Sequence, residues 1–152
     1  MTVAREQVMA ALFTALSNAV YSDGTSPVFN SVSRKLKLWG EVPHDQQPAM
    51  FLVDTHETRT QQPPQGLPSK LLMRTAAIIY VSTTNSEDVP SVQMNLVLDA
   101  VDKVFLPDDL IRNVFTLGGL VHYCRIEGNI AKTPGDLDGQ GMAVIPINVM
   151  LP

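Results

Sequence analysis

Apolar residues recur at helical spacing near the start of the chain. Within residues 3–21 they share one broad arc of a helix, and they are Val8, Met9, Leu12, Phe13, Ala15, Leu16, Ala19 and Val20. Residues 8–20 are too few and too polar to span a bilayer. We therefore expect a soluble helix, with Thr2 as its N-cap and Ser22-Asp23-Gly24 as its stop signal.

A two-residue period replaces the helical one in the next part of the chain. Leu36 and Leu38 alternate with Lys35 and Lys37, which predicts a strand over about residues 29–39 with one buried face. The apolar run 49–53 predicts an inner strand that stays extended through residue 59. Residues 70–82 predict a return strand, with Ala77, Ile79 and Val81 on one face.

The segment between these last two strands has no periodicity and contains three prolines. Its residues are Gln61, Gln62, Pro63, Pro64, Gln65, Gly66, Leu67 and Pro68. The composition predicts an exposed loop at the tip of a long projecting β-hairpin. A polar tip adds little to a core, so we expect these residues to contact another subunit or ring in an assembly.

A second amphipathic helix is predicted to start near Pro90, with Asp88 or Ser86 as its cap. Its buried stripe consists of Met94, Val97, Leu98, Val101 and Phe105. Gly118-Gly119 then opens a long alternating strand, whose buried face would carry Leu120, His122, Cys124, Ile126 and Ile130.

The last predicted strand, residues 141–151, is apolar on both faces. One face carries Ala143, Ile145, Ile147, Val149 and Leu151. The other carries Met142, Val144 and Met150 with Pro146 among them, and we expect these four residues to lie in an interface between subunits. Proline cannot donate to a β-ladder, which favours an edge position or a bulge at Pro146.

The predicted element order is α-β-β-β-α-β-β, without an internal repeat. This order predicts an α+β fold, in which an antiparallel or mixed β-sheet packs with two main helices in one domain spanning residues 1–152.

Composition favours self-association over binding to nucleic acid or membranes. Hydrophobic residues make up 45% of the chain and charged residues only 17%, against about 25% charged in typical soluble domains. A chain with so few charges often hides surface in an oligomer. Its net charge of −4 gives no reason to expect tight binding to duplex DNA or anionic lipid.

Candidate chemistry is sparse. Cys124 is the only cysteine, which excludes an internal disulfide and a thiolate metal cluster. His122 and Cys124 share a predicted strand face, but two ligands do not complete a metal site, and we expect both to be core residues. Asp136-Leu137-Asp138-Gly139 lacks the remaining ligands of a calcium loop and predicts a turn. We expect no catalytic residue, cofactor or metal.

Segments over most of the chain carry a family resemblance. They are the first helix with Leu12 and Leu16, then Leu38-Trp39, Pro48-Ala49-Met50-Phe51-Leu52, Ala77-Ile78-Ile79-Tyr80, Asn95-Leu96-Val97-Leu98-Asp99-Ala100, Thr116-Leu117-Gly118-Gly119, Tyr123-Cys124-Arg125-Ile126-Glu127-Gly128 and Val144-Ile145-Pro146-Ile147. This pattern resembles the tail terminator family of long-tailed bacteriophages, also called minor tail or tail completion proteins.

The resemblance implies a structural virion protein rather than an enzyme. It implies a homohexameric ring that caps the tail tube, stops its polymerisation and then joins the head. The implied partners are the tail tube protein and a head-side neck or connector protein, with genomic DNA passing through the ring without specific binding. The ring would be assembled in the host cytoplasm, without a membrane, and would reside in the virion.

Other functions remain open from the sequence. A neighbouring neck or head–tail connector protein has a similar size. A monomeric peptide-binding module could use an edge strand containing Pro146 for β-augmentation. A small enzyme would need a convergent polar pocket, which the dispersed histidines and single cysteine do not predict.

Overall fold

A computed structural model describes residues 3–60, 70–83, 87–133 and 140–152. These residues form two α-helices, six β-strands and two short 3-10 helices. The helices are α1 (Arg5–Ser17) and α2 (Pro90–Val104), and the 3-10 helices are Trp39–Glu41 and His44–Gln46. The strands are β1 (Ser31–Ser33), β2 (Ala49–Thr60), β3 (Lys70–Ser82), β4 (Tyr123–Ile126), β5 (Ala131–Thr133) and β6 (Gln140–Met150). The α+β prediction is confirmed, with one strand more than expected.

The strands form one mixed sheet in the order β1-β2-β3-β6-β4, and β5 also pairs with β6. Only the short β1–β2 pairing is parallel. The predicted hairpin is confirmed, because β2 and β3 pair antiparallel from Ala49 opposite Tyr80 to Thr60 opposite Lys70. The described stem does not project as predicted, because β6 pairs with β3 from Leu72 onward and nearly all of the stem lies within the sheet. The tip residues 61–68 lie outside the described residues.

Both helices pack on one face of this sheet and build the main core. Most residues of the two predicted helical stripes are buried there, whereas Phe13, Ala15, Val20 and Phe105 are only partly buried. Alternate β6 residues contribute Ala143, Ile145, Ile147 and Val149, each with 0% exposure. This alternation is expected for a strand with a core on one side, because successive side chains point to opposite faces.

The predicted strand over residues 29–39 is largely wrong, since only Ser31–Ser33 are extended in the sheet. Leu36 and Leu38 are 47% and 72% exposed rather than buried. The chain instead turns across the far side of the sheet. There the Trp39 ring stacks on Tyr80 at a centroid distance of 5.8 Å, and the Tyr80 hydroxyl donates to the Lys37 carbonyl at 2.8 Å.

The long strand predicted after Gly118-Gly119 is divided into β4 and β5. Ile126 pairs with Ile147 and Ala131 pairs with Val144. The four residues 127–130 between them therefore lie opposite only two residues of β6, Ile145 and Pro146. The Glu127 N–H donates to the Pro146 carbonyl at 3.2 Å within this interruption.

The edge position predicted for Pro146 is therefore wrong, because β6 has β3 on one side and β4 and β5 on the other. The carbonyl and nitrogen of a strand residue point the same way. The missing N–H of Pro146 thus falls at the gap between β4 and β5, where no ladder bond is lost.

The predicted helix caps differ from the observed ones. Ala4 and Val89 occupy the N-cap positions, and neither makes a side-chain capping bond. Thr2 and Ser86 lie outside the described residues, and Asp88 lies one residue before the cap. Pro90 does begin α2, where its missing N–H costs nothing.

Candidate functional site

The sheet face opposite the helices, called here the open face, carries the predicted interface residues of β6. Met142, Val144, Pro146 and Met150 all lie on it and are half-buried. Trp39 and Val42 lie at one end, where Trp39 and Met142 pack against a small second cluster of Val42, Ala49, Phe51 and Tyr80. Val144, Pro146 and Met150 continue the face beyond that cluster, next to Ile78, Ala76 and Leu72 of β3.

A polar row crosses the open face. The register places His56, Arg74, Asn148 and Arg125 side by side on four adjacent strands. Glu127 accepts hydrogen bonds from Asn148 at 2.9 Å and from Arg125 at 3.1 Å, and these bonds hold the pKa of Glu127 below its ordinary value. The row crosses β6 at Asn148, between Pro146 and Met150. The apolar strip of Val144 and Pro146 therefore has charged, solvated groups along one side, as protein interfaces commonly do.

β1 covers only residues 49–51 of β2, so the rest of β2 forms an edge of the sheet. This edge is poorly suited to pairing with another strand. The register shifts between Asp54 and His56, and the Thr55 hydroxyl donates to the Arg74 carbonyl at 2.8 Å. Glu57 on the same edge accepts a bond from Arg5 of α1 at 2.5 Å. Bulges and charges on an edge strand discourage β-augmentation. Association through the open face is therefore better supported than association through this edge.

A second exposed apolar feature lies in the loop after α2 and is called here the knob, Leu110 and Ile111. These side chains are 84% and 97% exposed. Asp109 holds the loop, because one of its carboxylate oxygens accepts the N–H groups of Ile111 and Arg112, each at 3.1 Å. Its other oxygen accepts Arg112 Nε at 2.7 Å, and backbone bonds join Asp109 to Val114.

Asp108 connects the knob loop to the following segment. Its carboxylate accepts the Thr116 N–H at 2.7 Å, the Thr116 hydroxyl at 2.8 Å and the Gly118 N–H at 2.8 Å. Phe115, just after the loop, packs edge-to-face on Phe105 at the end of α2. The two aliphatic side chains are thus exposed on a loop that is anchored at both ends.

A cavity of about 500 Å³ lies beside the first turns of α2 and is called here the α2 cavity. Its apolar wall consists of Val89, Val92 and Leu96, which are 52%, 58% and 54% exposed. Its polar wall consists of His44, Gln47, Ser82, Thr83, Glu87, Asp88 and Gln93. Apolar and acidic groups therefore meet at this opening.

His44 and Ser82 contact each other in the polar wall of this cavity, where His44 Nδ1 and Ser82 Oγ are 2.5 Å apart. A serine beside an imidazole is one arrangement that activates a nucleophile. Ser82 is only 9% exposed, however, which restricts substrate access. The contact has a simpler role, because it fastens the 3-10 helix His44–Gln46 to the end of β3.

Cys124 lies in the core as predicted, with 1% exposure. Burial, together with the negative charge of Asp108, raises the pKa of its thiol to about 12, which disfavours the reactive thiolate. His122 is half-buried, and burial with the nearby Lys70 and Arg112 charges lowers its pKa. The described residues contain no group of three or more potential metal ligands.

The knob and the His44–Ser82 contact were not predicted from the sequence. Two adjacent aliphatic residues after an Asp-Asp pair break the helical period and follow no strand period, so periodicity gave no signal for them. The paired aspartates, which favour local turns, were the available signal.

Comparison with known proteins found no matching family model and no curated protein of similar sequence. Neither helix in the described part of the chain is long and apolar enough to cross a membrane.

Proposed function

We propose that this protein is a structural virion protein that forms a homohexameric ring on a bacteriophage tail tube. The ring stops tube polymerisation and offers a surface to a head-side neck or connector protein. The observation that carries the proposal is the two-sided character of β6, whose open face continues as an apolar surface beyond Trp39 and Val42.

A second copy of the chain would remove this surface from water. Burial of apolar area contributes roughly 25 cal/mol per Å², while association loses translational and rotational freedom. Only a ring closes a series of head-to-tail contacts without leaving an exposed end. Assembly on a tail tube helps further, because the tube holds neighbouring copies at high local concentration.

The resemblance to tail terminators supports the choice of a phage tail among ring-forming assemblies. The net charge of −4 is compatible with DNA passing through a ring without being retained by it. The proposed role requires no catalytic residue, cofactor or metal.

Native mass spectrometry with and without purified tail tubes tests the proposal. We expect an assembly of six chains, six times 16.6 kDa or about 100 kDa, and capped tubes of uniform length. Val144→Glu should weaken ring formation by placing a charge on the open face. Ala10→Glu is the matched control, because it adds the same charge at an exposed position of α1 on the other side of the sheet.

Only monomers, or only two-fold symmetric dimers, in the presence of tubes would contradict the proposal. If the Val144→Glu and Ala10→Glu variants assembled equally well, the ring would not depend on the open face and another surface would have to form it.

A further inference from the structure

Negative charge is concentrated along α2 and the loops beside it. Residues 87–112 carry six carboxylates and only two cations. Asp99 and Asp102 are both exposed on this helix, and partial burial together with the charge of Asp99 raises the pKa of Asp102. Lys103 forms no ion pair with either carboxylate within the described residues. The outer surface of α2 is therefore acidic, and a cation from another molecule would stabilise it.

The open face carries the opposite charge. The register places three cations on it, which are Lys70, Arg74 and Arg125. Glu127 is the one carboxylate among the described side chains on this side of the strands, and it binds Arg125. Lys70 and Arg74 form no ion pair within the described residues. This face therefore keeps a net positive charge with Glu127 included.

Each of the two surfaces also has an apolar part. On α2, Val92 and Leu96 are more than half exposed, and the rise from Val92 to Asp102 is roughly 15 Å. On β6, the apolar strip begins at Val144 and the polar row crosses at Asn148, roughly 13 Å further along the strand. Apolar side chains thus give way to charged ones over similar lengths on both surfaces.

The two surfaces lie on opposite sides of the sheet. The buried side of α2 packs into the main core, whereas the apolar strip and the polar row lie on the open face. They cannot meet within one chain, so one copy offers both of them to two neighbours. A contact between them joins two different surfaces and therefore repeats head to tail.

We propose that the outer surface of α2 in one copy covers the open face of the next copy. Val92 and Leu96 lie against the apolar strip, and the two helix carboxylates lie beside Arg74 and Arg125. Opposite charges favour this arrangement, whereas two open faces in contact would bring cations together. The inference rests on the proposed ring and identifies the surface that each subunit offers to its neighbour.

Charge reversal tests the contact. Arg74→Glu places a carboxylate opposite the acidic helix, and Asp99→Lys places a cation opposite the basic face. We expect each variant alone to assemble only at concentrations roughly tenfold or more above that of the wild type, because like charges then meet. Arg59→Glu is the matched control, since Arg59 is an exposed cation on β2 that faces away from the open face. It should assemble like the wild type.

The two variants should rescue each other when mixed. In a ring of alternating chains, the Arg74→Glu open face meets the Asp99→Lys helix, and every other contact is wild type, so opposite charges meet throughout. Analytical ultracentrifugation should show rings in an equal mixture at the wild-type concentration, and native mass spectrometry should show equal numbers of both chains. The Arg74→Glu, Asp99→Lys double variant should assemble alone for the same reason.

A cross-link tests whether the two surfaces touch. A Val92→Cys, Val144→Cys double variant should form disulfide-linked chains under mild oxidation, because each contact would bring one cysteine of each kind together. The native Cys124 is buried and should not take part. Linked chains that extend beyond pairs would support a head-to-tail contact, and the absence of any link in assembled rings would overturn it.

Normal assembly of both single charge variants would overturn this contact while leaving the proposed function intact. A mixture that assembles no better than its components would overturn it as well. Variants that form normal rings but fail to bind tail tubes would instead make the tube protein the occupant of these surfaces. A wild-type protein that stays monomeric with tail tubes present would contradict the ring and the contact together.

Discussion

At the residue scale, Asp108 and Asp109 have the clearest structural roles outside the core. Bonds from Arg112 and the loop N–H groups lower the pKa of Asp109. Burial opposes ionisation of Asp108, but bonds from Gly118 and Thr116 outweigh it, so the pKa of Asp108 is lowered too. Both carboxylates therefore stabilise the folded loop in their charged form.

These shifts predict how the loop responds to acid. Each folded-state pKa lies below that of the unfolded chain, about 3.9, so the stabilisation is complete above that value and disappears as the pH falls through the folded pKa. NMR titration of the carboxyl carbons should show both lowered pKa values. Asp109→Asn should reduce the pH dependence of loop mobility. An unchanged dependence would assign the effect to other groups.

Cys124 offers a second test at this scale. Cys124→Ser places a hydroxyl in an apolar core. We expect it to lower the free energy of unfolding, measured with denaturant, by roughly 1–3 kcal/mol. His122→Asn, at a half-buried position, should also alter stability. Metal content should be the same in the wild type and both variants. Stoichiometric zinc in the wild type that is lost in both variants would contradict a core role.

At the element scale, Gly128 allows the chain to pass from β4 to β5 around Pro146. Its φ of +115° is rarely adopted by other residues, and a Cβ there would lie 3.4 Å from Pro146 Cγ. Gly128→Ala should lower the unfolding free energy by roughly 1–3 kcal/mol. Gly40→Ala is the matched control, because its Cβ would meet nothing within 4 Å. Equal stability of the two variants would show that this backbone is not strained.

The helices and the inner strands could be predicted because their apolar residues follow a period set by a buried face. Val97 and Ile145 are examples, and both are fully buried. Leu36 and Leu38 follow the same alternation but remain exposed, since a period cannot tell whether anything packs against the apolar side. The division of β4 from β5 was missed because Asn129 and Ile130 do not interrupt the alternation.

The candidate surfaces were predicted only in part. Met142, Val144, Pro146 and Met150 do share one face, because side-chain direction follows directly from position in a strand. The α2 cavity depends on contacts between distant segments, such as His44 with Ser82. Such contacts leave no periodic signal in a single sequence.

At the scale of the whole molecule, we expect the stability of the fold not to depend on the hairpin tip. The β2–β3 ladder is already closed at Thr60 and Lys70. Replacing residues 62–67 with a short Gly-Ser linker should therefore leave the melting temperature nearly unchanged. If the tip contacts a neighbouring ring, the same replacement should impair tail completion or head joining. Normal virion assembly with the linker would show that the tip has no assembly role.

The position of Pro146 has a further consequence for the kinetics of hydrogen exchange. Residues 143, 145, 147 and 149 direct their N–H groups toward β3, with which β6 pairs without interruption. Residues 142, 144, 148 and 150 direct theirs toward the short strands β4 and β5. Their deuterium uptake should therefore alternate along β6, slow at odd positions and faster at even ones, because the outer strands can detach while the inner ladder stays closed.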